Sequence, residues 1–140
     1  MCLVLYSGTT TDIPLIAWDE KKPAFNVEIL KSEFQKNAVR HFGELKVHYI
    51  GSDNGCGCGF RKEEDVFIAK FQEPGEEKQV NHDALARYLE KLPQQKSPIK
   101  LFACWSGDEE LPILTHRQIS LAEISKPDFF FREREMLTVI

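Results

Sequence analysis

Between Gly51 and Gly59 the chain reads Gly-Ser-Asp-Asn-Gly-Cys-Gly-Cys-Gly, with glycine at four of nine positions. No other segment limits the backbone so strongly. Glycine at that density predicts a tight turn or a positive-φ path, because other residues adopt such geometry only with strain. Leu45 to Ile50 runs into this segment and reads as a strand. The turn therefore begins at a strand end, where a rigid scaffold can hold functional residues.

The turn carries Cys56 and Cys58. Two thiolates one residue apart can converge on a single soft metal ion, because the glycine between them lets the chain fold back. Flanking glycines also let backbone N–H groups approach sulfur, which tunes thiolate and metal alike. Two ligands do not complete a site, since zinc takes four protein ligands when structural and three plus water when catalytic. The other donors are Cys2, Cys104, His41, His48, His82 and His116, none at a finger or ribbon spacing from the pair. We take Cys104 as the third ligand beside Cys56 and Cys58, provided that its strand end lies near the glycine turn. Against this, Cys104 sits in an apolar run beside Phe102, where a free cysteine commonly packs as core. Cys2 is subject to fraying at the start of the chain.

The string Cys56-Gly57-Cys58-Gly59-Phe60 resembles the Cys-Gly-Cys-Gly ending of the A-type iron–sulfur carrier proteins. The resemblance covers five residues and implies that Cys56 and Cys58 are ligands of a metal or cluster. The wider pattern, GCGCGF after a strand and a later Cys-Trp-Ser-Gly, looks like small bacterial proteins, a likeness that implies no activity. The expectation is a thiol-ligand protein holding zinc, copper or an iron–sulfur cluster. Two alternatives stay open: a binding or structural domain whose loop is only a tight turn, and a redox-active dithiol protein. Enzymatic activity is left undecided, because no histidine stands where it must act as base to a cysteine. Asp108-Glu109-Glu110 reads as solvated surface rather than a hard-cation site.

Composition narrows the setting. At 140 residues, 42% of them hydrophobic, the chain has material for one domain with a real core. A net charge of −4, mixed in sign along the sequence, argues against nucleic acid and anionic membrane as partners. No apolar run approaches the roughly 20 residues that span a bilayer, and Cys2–Tyr6 is too short for a signal core. Four cysteines without export signals point to reduced thiols, hence to the cytoplasm.

Local patterns predict an α+β fold, a mixed or mostly antiparallel sheet with two to three helices. Strands are expected at Leu3–Tyr6, Ile13–Ile16, Phe25–Leu30, Leu45–Ile50, Asp65–Gln72, Ile99–Trp105, Ile113–Leu114 and within Phe129–Ile140. A capping box, Ser32 with Gln35, starts a helix running to Phe42. Asn81 is read as the cap of a second helix with the apolar stripe Leu85, Tyr88, Leu89 and Leu92, stopped by Pro93. A helical turn follows Ser120. The run Leu3 to Ile16 is echoed by Phe102 to Leu114, each an apolar strand, Ser-Gly, a polar loop and an apolar-Pro-apolar pair, which suggests a pseudo-repeat.

Overall fold

The computed structural model describes residues 2–62 and 76–140. The first strand, β1 (Leu3–Thr9), is buried along all seven residues. Its sequence, LVLYSGT, is apolar or small at every position, as a strand covered on both faces requires. It lies mid-sheet, antiparallel to β3 (Lys46–Gly51) on one side and to β4 (Ile99–Trp105) on the other. The short β2 (Asn26–Glu28) pairs antiparallel with β3. On the far side β6 (Glu135–Val139) pairs antiparallel with β4 and parallel with β5 (Thr115–Ile119). The six strands thus run in the order β2-β3-β1-β4-β6-β5, a mixed, mostly antiparallel sheet with three described helices, as the patterns predict.

Alternation sends side chains of β1 and β4 to opposite faces. On one face Leu3, Leu5, Leu101 and Ala103 join Phe60, Leu85, Leu89, Ile124, Phe129 and Phe131. The helices there are α2 (Glu76–Glu90) and α3 (Leu121–Ile124). On the other face Val4, Tyr6, Tyr49, Phe102, Cys104 and Met136 meet Ala38 and Phe42. These two come from the segment where α1 (Glu33–Asn37) passes into a 3₁₀ turn over Ala38–His41. The expected Ser32–Gln35 capping box is present, and the same device at Ser120 and Glu123 starts α3.

The departures are local. Asn81 does not cap α2, which begins at Glu76; its side chain is used by the glycine turn instead. Of Ile13–Ile16, only Ile16 joins the sheet, by a single bridge to Val27. The strand expected at Ile113–Leu114 starts later, at Thr115, where parallel pairing with β6 is available. Phe129–Phe131 is core without being strand, with Phe129 and Phe131 buried. The strand expected over Asp65–Gln72 lies outside the described residues. The echoing runs sit side by side as β1 and β4, yet Leu5 and Cys104, which correspond in sequence, face opposite sides of the sheet.

Candidate metal centre

After β3 the chain makes two nested turns. Gly55 N–H donates to the Ser52 carbonyl at 2.9 Å, and Ser52 N–H donates to the Cys56 carbonyl at 2.7 Å. The Ser52 hydroxyl holds both halves together. It donates to the Cys56 carbonyl at 2.6 Å and accepts from Gly59 N–H at 3.0 Å. Asn81 of α2 closes the far side, accepting from Asp53 N–H at 3.0 Å and donating to the Asp53 carboxylate at 3.1 Å. From Gly57 to Phe60 the chain is a 3₁₀ turn, with Cys56 at its N-cap. Cys58 N–H donates to the Cys56 sulfur at 3.5 Å, a backbone–sulfur contact that the flanking glycines permit.

Close approach explains two of the glycines. A Cβ on Gly57 would lie 2.4 Å from the Leu3 carbonyl oxygen and 2.9 Å from Val4 Cα. A Cβ on Gly59 would lie 2.5 Å from the Ser52 hydroxyl. Gly55 has a φ of +80°, the region where glycine is at no disadvantage. The turn therefore lies flat against the first residues of β1, and that contact sets where the cysteines go.

Because Gly57 touches Leu3 and Val4, the residue just before them comes beside the pair. The sulfurs of Cys2, Cys56 and Cys58 all lie within 4.8 Å of one another. Cys2 is exposed and the other two are half-buried, so the group opens to solvent. Burial, with hydrogen bonds to Cys2 and Cys56, pushes the Cys58 thiol up to about 12. Tyr49, 6% exposed on the adjoining strand, is also raised, first by burial and then by the neighbouring cysteines. This setting is the opposite of the electropositive one that makes a thiolate reactive at neutral pH.

Cys104, expected as the third ligand, is not in this group. It is fully buried in β4, with its thiol 3.9 Å from Glu109 Oε1. Burial and the carboxylates of Glu109 and Asp108 push it up to about 12. Glu109 is itself buried and accepts from Tyr6 Oη at 3.2 Å and from Gly107 N–H at 2.6 Å. One member of the acidic triplet is thus a core acceptor rather than solvated surface. The histidines stand elsewhere. His41 contacts the Glu109 carbonyl through Nε2 at 2.6 Å, and His116 is exposed on β5. His82 is buried with Nε2 2.8 Å from the Phe60 carbonyl. His48 is buried, which lowers its pKa. The residue that sequence reasoning set aside, Cys2, is the one brought to the pair. The available signal was Leu3–Tyr6 as a central strand: such a strand is held, so the residue beside it does not fray freely.

Among the described residues no helix is long and apolar enough to cross a membrane. Comparisons with protein-family models, curated proteins and solved structures find no match.

Proposed function

We propose that this chain is a small thiol-ligand protein that holds one soft metal ion through Cys56 and Cys58, with Cys2 as the third donor. The observation that carries this reading is the convergence of three sulfurs within 4.8 Å. Metal–sulfur bonds near 2.3 Å place tetrahedral thiolates about 3.8 Å apart, so the sulfurs need only small side-chain rotations to close on an ion. A tight turn alone accounts for the glycines, whose Cβ positions are filled. It gives no reason for three cysteines to meet at its edge. The chemistry of the donors selects zinc, copper(I) or iron–sulfur species over hard cations. Three sulfurs fall short of the four that hold most iron–sulfur clusters, so a single ion fits the donor set better. Free thiols in this number suit a reducing compartment, the cytoplasm.

Anaerobic purification followed by elemental analysis and an absorption spectrum tests the proposal. Stoichiometric metal is expected in the native protein and in a Cys104→Ser variant. It should be lost from the Cys56→Ser, Cys58→Ser double variant and reduced in Cys2→Ser. Absence of metal after reconstitution with zinc or copper(I), in protein that remains folded, would overturn it.

A further inference from the structure

We infer that the three-thiol cluster fits a trivalent, thiol-seeking metalloid of the arsenite type better than a tetrahedral divalent ion. The inference rests on the thiol-ligand reading above and adds the class of ligand.

Coordination number is the first argument. Cys2, Cys56 and Cys58 supply three sulfurs, and among the described residues no fourth cysteine, histidine or carboxylate joins the group. A structural zinc site would stay one protein ligand short. A trivalent arsenic centre takes three sulfurs in a pyramid, and its lone pair occupies the fourth direction. The open side of the cluster, where Cys2 is exposed, suits that arrangement.

Charge is the second argument. Three thiolates around a monovalent ion leave a net charge of two negatives, and around a divalent ion one negative. Around a trivalent centre they leave none. Residual negative charge is least costly beside a cationic partner, and no hydrogen bond joins these thiols to Lys, Arg or His among the described residues. The nearest basic residue in sequence, Arg61, places its guanidinium over the Trp105 ring, 4.9 Å from the centroid.

The reaction balances without an oxidant or reductant. Arsenous acid, As(OH)₃, meets three neutral thiols. Three As–S bonds form and three As–O bonds break, and each thiol proton leaves with a hydroxyl as water. Arsenic stays trivalent throughout. Zinc, by contrast, must displace the thiol protons into solution.

Reduced protein is titrated with sodium arsenite and, separately, with zinc chloride. Bound element is measured after gel filtration, intact mass is recorded, and proton release is followed in weak buffer. The expected result is one arsenic per chain, a mass gain of one arsenic less three hydrogens, and no proton release. Cys2→Ser, Cys56→Ser and Cys58→Ser should each weaken arsenite binding roughly 100-fold or more, because the third sulfur acts as an intramolecular ligand at high effective concentration. Cys104→Ser should bind as the native protein does, and far-UV circular dichroism checks that each variant is folded. Equal arsenite binding by Cys2→Ser would overturn the three-thiol site. Tight zinc binding with no retained arsenic would overturn this inference and leave the thiol-ligand reading standing. Failure to bind either would overturn this inference, and failure of copper(I) reconstitution as well would overturn the thiol-ligand reading too.

Discussion

Gly57 lies against backbone, not against a side chain that could swing away. The Leu3 carbonyl and Val4 Cα that a Cβ would strike belong to β1, which is held by β3 on one side and β4 on the other. Gly57→Ala is therefore expected to cost about 2–3 kcal/mol, the upper part of the overpacking range, read as a lower urea midpoint. It should also separate Cys2 from the pair and weaken metal binding by more than its effect on folding. Gly55→Ala, strained by its φ of +80° and by a Cβ that would sit 3.1 Å from the exposed Trp18 ring, should cost about 1–2 kcal/mol. The density of glycine was legible in the sequence, and so was the pairing of Cys56 with Cys58. The third sulfur was not. Its position depends on a contact between residues 3 and 57, which no local spacing encodes.

The second helix shows how tertiary demand overrides local signals. Asn81 has the chemistry of an N-cap, yet it sits inside α2 (Glu76–Glu90) and spends its amide on Asp53 and the Gly59 carbonyl. One residue on, His82 is fully buried among Phe60, Phe129 and Phe131. Burial, helped by nearby Lys62, lowers its pKa to about 4. Between the ordinary value of about 6.5 and about 4, the unfolded chain takes up a proton and the folded chain does not. Stability present above that window is therefore lost as pH falls through it, by up to about 3 kcal/mol. Urea midpoints at pH 7, 5.5 and 4 should show this loss, and His82→Gln should flatten it. The aliphatic stripe on α2 was readable from its spacing. The helix start and the burial of His82 were not, because both follow from what docks against this face.

At the scale of the molecule, the sheet separates its thiols by environment. Cys2, Cys56 and Cys58 lie at the solvent-facing edge, whereas Cys104 is enclosed with Tyr6 and Glu109. In metal-free native protein a maleimide should label Cys2 first, then Cys56 and Cys58, with Cys104 labelled only after unfolding; mass spectrometry of peptides checks the order. Fast native labelling of Cys104 would contradict the buried placement. The α+β class followed from alternating strands, the Ser32–Gln35 capping box and the apolar stripe of α2. The strand order did not, since β1 finds its neighbours in β3 and β4, far along the chain. Strand β5 was expected two residues early, at Ile113–Leu114, because THRQI itself is polar, as suits an edge strand exposed on one side.

The seat of the glycine turn on β1 carries a topological consequence. Whatever grips Cys2 together with Cys56 and Cys58 ties the start of the central strand to the end of β3. The intervening chain becomes a closed ring. The strand in the middle of the sheet then cannot peel away without first surrendering its guest. Occupancy would act as a latch on the fold, and an empty site would be the form in which the sheet is free to open.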